Sequence, residues 1–377
     1  MTHLNLQQML QARAAKRADE SAYGLKPREH RTRDAVCGPV TNAVEETRAG
    51  VRRLRMFSLA ELESVIPLVR QSVPPTPQYA WPLLRERFGA EVVVKHENHT
   101  PIGSFKVRGG IVFFDRLKRH RPEVRGIISA TRGNHGQSLA FAGARAGVAV
   151  TIVVPRGNST EKNAAMRSFG AELIEHGRDF DEAREHAIQV AAERGLEFAP
   201  SFHRDLVLGV ATYAHELFTS IGDFDTVYVP IGLGSGICGV IGARDALGRR
   251  TRIVGVVAEG ANTYSRSVAA GRSVPTNSAV TFADGMAVRM PDTAALEIIQ
   301  RGADRIVEVS DDEIAEAVRI IYSATHNCAE GAGAAALAAL VKERERVRGG
   351  LAAVILSGQN IDRAWMQTVL AGGTPQV

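Results

Sequence analysis

The chain alternates between short apolar segments and amphipathic ones from about residue 58 onward. Seven segments are short and mostly apolar, as strands buried on both faces usually are: 91–95, 126–129, 150–154, 171–175, 226–230, 253–258 and 352–356. Six longer segments have helical periodicity: 134–146, 160–169, 180–194, 236–247, 311–325 and 331–346. This alternation predicts an α/β protein whose parallel strands are joined by right-handed crossovers.

The start of the chain has a different pattern. Residues 1–55 are polar, rich in arginine and only weakly periodic. We interpret them as an N-terminal extension that is either partly helical, over residues 4–15, or disordered. The regular pattern begins at Ser58, and Glu61 follows three residues later, which is the spacing of a capping box at the start of a helix. A proline cluster at residues 74–77 then predicts an extended loop.

Composition excludes several classes of protein. With 377 residues and 45% hydrophobic content, the chain can bury a large core. The formal charge of +5 is small and no basic stripe is interleaved with aromatic residues, so we expect no nucleic-acid partner. No apolar run approaches the roughly 20 residues that span a bilayer, and the N-terminus lacks the apolar core of a secretory signal. The 3 cysteines have no metal-type spacing and indicate a reducing compartment, so we expect a cytoplasmic protein without a membrane partner.

Residues 101–110 place Lys106 between Phe105 and two glycines, soon after the first predicted strand. Neighbours of this kind often line a pocket. Burial lowers the pKa of a lysine, and the neutral amine can then act as a base or as a nucleophile toward a carbonyl cofactor. Taken alone, the segment also fits a structural lysine whose amine reaches solvent.

Two glycine-rich turns each join a predicted strand to a predicted helix. In residues 129–138, with Thr131 or Asn134 as the helix cap, the N–H groups of the first turn either bind a carboxylate or phosphate or form an ordinary helix start. In residues 230–239, alternate glycines let successive N–H groups converge on a phosphate. A dinucleotide site is the alternative there, since Glu259 follows the next strand, but it gives no role to the pocket lysine.

A fourth segment, 354–360, contains a buried strand that ends in the hydroxyl of Ser357. Two weaker motifs lie at residues 284–288 and 330–334. Taken together in this order, the motifs resemble those of the fold type II pyridoxal-phosphate enzymes, and most closely the serine/threonine dehydratases (ammonia-lyases). The resemblance covers most of the chain, from about Ser58 to beyond Ser357.

The resemblance implies an α/β fold with two open, mainly parallel twisted sheets flanked by helices (like the β subunit of tryptophan synthase). The cofactor, pyridoxal 5'-phosphate, would lie between two domains. We expect a large cofactor-binding domain formed by residues 56–125 and 204–377, and a small domain formed by residues 126–203.

The resemblance also implies a role for each matching residue. Lys106 matches the lysine that holds the cofactor through a Schiff base, and Phe105 matches the residue that packs against the cofactor ring. Asn134 matches the hydrogen-bond partner of the 3-hydroxyl group, and Ser357 the hydroxyl that faces the pyridine nitrogen. The matching phosphate site comprises Gly232, Leu233, Gly234, Ser235 and Gly236, and the loop for the substrate carboxylate comprises Thr131, Gly133, Asn134 and His135.

The implied activity is α,β-elimination, with Lys106 as the base. A hydroxyl does not hold the pyridine nitrogen protonated, so the ring is a weaker electron sink and prompt loss of a β-substituent is favoured. The substrate would be threonine, serine, 3-hydroxyaspartate or a bulkier β-substituted serine, and the products a 2-oxo acid and ammonia. A β-replacement enzyme similar to cysteine synthase and a non-catalytic cofactor-binding protein are the alternatives. Because relatives usually form homodimers or homotetramers, we expect one of these states.

Two positions depart from the family pattern. Arg132 stands where dehydratases usually carry a small residue and serine racemases carry a serine that acts as base. A guanidinium stays protonated, so racemisation is disfavoured. Arg132 either binds the side-chain carboxylate of 3-hydroxyaspartate or faces solvent or a structural acid. Glu259 matches a ligand of the metal-binding relatives, but Ser265 replaces the acid six residues later. We therefore predict no metal, while Glu259 remains a candidate ligand.

Overall fold

The structure is a computed structural model that describes residues 56–377; the predicted N-terminal extension lies outside these residues. No helix in this range is both long and apolar enough to cross a bilayer. The strands are β1 (Gln78–Ala80), β2 (Glu91–His96), β3 (Gly126–Ala130), β4 (Ala149–Val154), β5 (Glu172–Glu175), β6 (Glu197–Phe198), β7 (Thr226–Pro230), β8 (Arg252–Ala258), β9 (Arg305–Val309) and β10 (Leu351–Leu356). The helices are α1 (Leu59–Arg70), α2 (Pro82–Phe88), α3 (Lys106–His120), α4 (Asn134–Ala146), α5 (Thr160–Ser168), α6 (Phe180–Arg194), α7 (Arg204–Ser220), α8 (Ser235–Ala246), α9 (Thr263–Ala270), α10 (Thr293–Gly302), α11 (Asp311–Thr325), α12 (Gly331–Lys342), α13 (Arg344–Val347) and α14 (Arg363–Leu370).

Six strands form the larger sheet, in the order β1-β2-β10-β7-β8-β9. Only β1 is antiparallel to its neighbour among these strands. Every residue of β2 and β10 is buried, as in a parallel strand covered on both faces. Helix α12 is half alanine, with two further glycines, and packs against β7, β8 and β10. Its short side chains let the helix lie close to the centre of the sheet.

Four parallel strands form the smaller sheet, in the order β5-β4-β3-β6. Helix α6 covers it with Ala183, Ala187 and Val190, which join Ile128 and Val153 in one buried apolar cluster. These two mainly parallel sheets flanked by helices confirm the predicted fold class. The division into two domains stays a prediction.

All seven predicted strands form, with ends that shift by at most one residue. Three short strands were not predicted: β1 and β6 have only 3 and 2 residues, and β9, at a sheet edge, has its apolar residues interrupted by Arg305 and Glu308. Six helices were also not predicted, namely α2, α3, α7, α9, α10 and α14. The single helix predicted over 331–346 is wrong, because α12 ends at Lys342 and α13 begins at Arg344. Glu343, at the break, accepts hydrogen bonds from Tyr228 and Arg305.

The predicted capping box at the start of α1 forms only in part. The hydroxyl of Ser58 accepts a hydrogen bond from the backbone N–H of Glu61, at 3.1 Å. The carboxylate of Glu61 instead binds two guanidinium groups, those of Arg116 and Arg204. These ionic partners replace the return bond to the backbone, so Glu61 connects α1 with α3 and α7.

Candidate active site

A pocket lies where the carboxyl ends of strands from both sheets meet. Its walls include the turns that follow β3 and β7, the end of β10 and the start of α3. The carboxyl ends of parallel strands are where open α/β sheets usually bind ligands. All the predicted cofactor and substrate residues line this one pocket: Phe105, Lys106, Thr131, Arg132, Gly133, Asn134, His135, Gly232, Leu233, Gly234, Ser235, Gly236 and Ser357.

Lys106 is the first residue of α3, and local backbone bonds fix its position. The N–H of Phe105 donates to the carbonyl of Ser357 at 3.1 Å, and Ser104 forms an antiparallel bridge with Gly358. The amine of Lys106 donates to the hydroxyl of Ser235 at 3.0 Å. Burial lowers the pKa of Lys106 to about 8, against the opposing effect of Glu330. A usable fraction of this amine is therefore neutral near physiological pH.

The turn between β7 and α8 has the form of an anion cradle. Gly234 has a φ of 100°, in the left-handed region that glycine adopts without strain. A side chain at Gly232 could not fit either, because its Cβ would lie 2.3 Å from the carbonyl oxygen of Gly285. The hydroxyl of Tyr264 donates to the carbonyl of Leu233 at 3.0 Å and holds the turn. The N–H groups of the first turn of α8 have no helical acceptor and suit a phosphate.

A second helix start, that of α4, faces the same pocket. Its cap position is Gly133, and not Thr131 or Asn134 as predicted, because the hydroxyl of Thr131 accepts the N–H of Gly133 at 3.0 Å before the helix begins. Burial and, second, the nearby Lys106 lower the pKa of His135 to about 3, so the imidazole is neutral. The first turn of α4 thus presents N–H groups and a neutral ring to an anion.

Asn134 is oriented by two side chains that the sequence did not connect with it. Its amide donates to Glu330 at 2.7 Å, and its oxygen accepts from Asn360 at 2.7 Å. Ser357, which is almost fully buried, donates to the carbonyl of Ala332 at 3.3 Å. This bond is long for a hydroxyl donor, so the hydroxyl can turn toward another acceptor.

An ionic cluster that sequence reasoning missed lies beside Asn134. The amine of Lys162 binds Asp284 and lies 3.6 Å from Glu330. Burial lowers the pKa of Lys162, but the two carboxylates raise it by more; burial raises the pKa of Glu330. The motifs around Asp284 and Glu330 were visible in the sequence. Lys162 gave no signal, because it lies within an ordinary helical pattern.

Arg132 also faces the pocket, between Thr131 and Gly133. Within residues 56–377, its guanidinium has no ion-pair or hydrogen-bond partner, and its Nε is shielded from solvent. Glu259, the candidate metal ligand, lies away from the pocket lining and is 3.6 Å from the amine of Lys342. The described residues contain no group of three or more His, Cys, Asp or Glu side chains that could hold a metal ion.

The pocket fits pyridoxal 5'-phosphate on three counts. The aldehyde needs an amine that is partly neutral, and Lys106 supplies one. The phosphate needs a turn without Cβ atoms at a helix start, which Gly232 and Gly234 provide. The ring needs an apolar wall and a polar group at its nitrogen, and Phe105 and Ser357 line the same cavity.

The comparison with known proteins agrees with this chemistry. A family model described as "Pyridoxal-phosphate dependent enzyme" matches residues 69–358, so the chain belongs to this family. The predicted family and cofactor are therefore confirmed, and the dinucleotide alternative for the turn after β7 is wrong.

Similar proteins include two named ammonia-lyases. L-threonine ammonia-lyase of Geobacter sulfurreducens is 36% identical over 289 residues, which cover 76% of this chain and 72% of the relative. L-threo-3-hydroxyaspartate ammonia-lyase of Saccharomyces cerevisiae is 30% identical over 305 residues, which cover 81% of this chain and 93% of the relative. The solved structure of the processed form of threonine deaminase isoform 2 from Solanum lycopersicum matches with a TM-score of 0.76 at 28% identity, over 89% of this chain and 100% of that one.

Proposed function

We propose that this protein is a pyridoxal-phosphate-dependent dehydratase (ammonia-lyase). It converts a β-hydroxy amino acid to a 2-oxo acid and ammonia by α,β-elimination. The single observation that carries the proposal is the pocket amine of Lys106, which faces one helix start suited to a phosphate and another suited to a carboxylate. The names of the two related ammonia-lyases support the same reaction.

The cofactor would be held by the residues predicted for it. Lys106 would bind its aldehyde carbon, and the turn from Gly232 to Gly236 would bind its phosphate. Phe105 would pack against the ring, and Ser357 would supply a hydroxyl for the pyridine nitrogen. When bound, the cofactor supplies an electron-withdrawing ring that stabilises the electron pair left at the substrate Cα.

The substrate carboxylate binds at the start of α4. The free N–H groups after Gly133 donate to it, and the hydroxyl of Thr131 lies beside them. This contact fixes the amino acid so that its Cα–H bond points to Lys106. Asn134 is held by Glu330 and Asn360, so it keeps one orientation as the substrate enters.

Lys106 acts as the base. The substrate amine first takes the place of Lys106 on the cofactor, and the freed, neutral amine of Lys106 then takes the proton from Cα; the low pKa allows the amine to be neutral at the start of this step. The Cα–H and Cβ–O bonds break, a Cα–Cβ double bond forms, and the β-oxygen leaves with a proton as water. The released 2-amino-2-enoic acid then takes up water and gives the 2-oxo acid and ammonia.

The substrate panel that tests this proposal contains threonine, serine, 3-hydroxyaspartate and a bulkier β-substituted serine, each in both configurations. Release of a 2-oxo acid and ammonia in equal amounts, without any added thiol, is the expected result. A β-replacement enzyme would instead need an acylated substrate and a second nucleophile, and a non-catalytic cofactor-binding protein would release nothing. Either of those results would contradict the proposal.

We propose further that the enzyme works in the cytoplasm, in the breakdown of amino acids, as a homodimer or homotetramer. The composition of the chain supports the cytoplasmic location, and the oligomeric states usual in the family support a homodimer or homotetramer. Light scattering of the purified holoenzyme should give a mass about two or four times the 40.6 kDa of the chain. A monomeric mass would contradict this part of the proposal.

A further inference from the structure

The charges around the pocket leave one cation without a counter-ion. Lys162 pairs with Asp284 and lies 3.6 Å from Glu330, so both carboxylates of the pocket lining already have a cation beside them. Lys106 donates to Ser235, and His135 is neutral. Arg132 is the remaining charged side chain of the pocket lining within residues 56–377. Its guanidinium carries a positive charge, so one unpaired positive charge faces the cavity.

Three acids that line the pocket or flank one of its lining residues already have partners. Phe180 lines the pocket, and the aspartates on either side of it, Asp179 and Asp181, both bind Arg289, at 3.0 and 2.9 Å. Asp284 is engaged by Lys162. A structural acid for Arg132, one of the two alternatives from the sequence, is therefore absent from the part of the chain that the structure describes.

The α-carboxylate of the substrate does not need this guanidinium. The start of α4 offers free N–H groups and the positive end of the helix dipole, which together suit one carboxylate. Arg132 precedes that helix start by two residues, so its side chain can reach an anion beyond the one bound there. An unpaired, partly desolvated guanidinium binds a planar carboxylate strongly, because two parallel N–H groups can donate to it.

We propose that Arg132 binds an acidic substituent on the substrate side chain, so that the enzyme prefers β-hydroxy amino acids with a second carboxylate, such as 3-hydroxyaspartate. This inference rests on the proposed function. The bonds that break and form at Cα and Cβ are the same for this substrate. The product is a 2-oxo dicarboxylic acid, with one molecule of water lost and one regained.

The first test compares three substrates that differ only at one group. 3-Hydroxyaspartate carries the carboxylate, 3-hydroxyasparagine replaces it by a neutral amide of the same shape, and threonine replaces it by a methyl group. We expect kcat/KM for 3-hydroxyaspartate to exceed both others by about 10- to 100-fold, the range for a hydrogen bond to a charged group. In Arg132→Gln this ratio should fall toward one, whereas Arg145→Gln, at the far end of α4, should keep it.

The second test measures binding without turnover. L-Aspartate and L-asparagine lack a β-hydroxyl group, and their binding to the holoenzyme can be followed by calorimetry. For the wild type and for Arg145→Gln, the Kd of aspartate should be lower than that of asparagine by a factor of about 10 or more. Arg132→Gln should remove the difference, and Arg132→Lys should restore part of it.

Each contrary result has one meaning. Equal turnover of the three substrates overturns the side-chain role. An equal loss of aspartate and asparagine binding in Arg132→Gln also overturns it, and this result assigns Arg132 to the α-carboxylate. A preference for O-phosphothreonine over 3-hydroxyaspartate assigns it to a phosphate and also overturns the proposal. In all three cases the elimination activity remains. If no β-hydroxy amino acid is turned over, the proposed function itself fails, while the aspartate–asparagine comparison still reports on Arg132.

Discussion

The amine of Lys106 lies 3.0 Å from the hydroxyl of Ser235, and each of these residues is the first of its helix. The positive ends of α3 and α8 therefore meet in the pocket. Two such ends disfavour an ammonium group between them and favour an anion. Burial lowers the pKa of Lys106, and this arrangement acts in the same direction while it prepares a site for phosphate.

The pH dependence of cofactor capture should follow this low pKa. Only the neutral amine attacks an aldehyde, so the neutral fraction of Lys106 sets the rate. Burial places its pKa at about 8 rather than at the ordinary 10.5. The rate of reconstitution of the apoprotein should rise about tenfold per pH unit below 8 and level off above it. Stopped-flow absorbance measures this rate. A rise that continues to pH 10, as for a free lysine derivative measured in parallel, would show that the amine is not perturbed.

Gly234→Ala should weaken cofactor binding as well as the fold, whereas a glycine outside the pocket should affect only the fold. Its φ of 100° is strained for alanine, and the new Cβ would lie 2.7 Å from the Cβ of Ala295, so the cradle must shift. Gly248→Ala is a matched control, because Gly248 also has a positive φ, of 64°, but nothing lies within 4 Å of its Cβ. Both variants should lose about 1–2 kcal/mol of unfolding free energy from backbone strain.

Fluorescence titration of the two apoproteins separates these effects. We expect the Kd for the cofactor to rise at least tenfold, roughly 1.4 kcal/mol, in Gly234→Ala and to stay near the wild-type value in Gly248→Ala. Equal Kd values in both variants would mean that the turn after β7 does not hold the phosphate.

Lys162→Met should destabilise the apoprotein by about 3 kcal/mol, because it leaves the buried Asp284 and Glu330 without their cation. Adding Asp284→Asn should recover part of this loss, since one of the two uncompensated charges is then gone. A double-mutant cycle by urea unfolding of the apoprotein measures the coupling. Losses that simply add would show that the ion pair contributes nothing to stability.

Much of the fold could be predicted because residues typical of helix caps lie at the ends of several helices. The helices α4 and α6 were predicted with their observed ends, and each is followed by a glycine with positive φ, Gly147 and Gly195. Helix α11 begins with a complete capping box between Ser310 and Glu313. By contrast, Glu61 has the same spacing from Ser58 but binds arginines that tertiary structure brings to it, which no local pattern reveals.

The site residues could be predicted where they are contiguous in the sequence. They could not be predicted where their role depends on a contact between residues that are far apart in the sequence. The predicted cofactor and substrate residues all line one pocket. Lys162 and Asp284 are 122 positions apart in the sequence and were not connected. That Arg132 has no partner among residues 56–377 is likewise a property of three-dimensional packing, since Asp179 and Asp181 pair with Arg289, and Asp284 pairs with Lys162.

The most direct measurement for the central claim is the activity and visible spectrum of Lys106→Ala, with Lys118→Ala as the control in the same helix. The amine of Lys118 is engaged with the carbonyl of Pro122, outside the pocket. We predict that Lys106→Ala loses both the absorbance of lysine-bound cofactor and the release of 2-oxo acid from β-hydroxy amino acids, while Lys118→Ala keeps both. Turnover retained by folded Lys106→Ala would contradict the assignment of Lys106 as the base and cofactor-binding lysine.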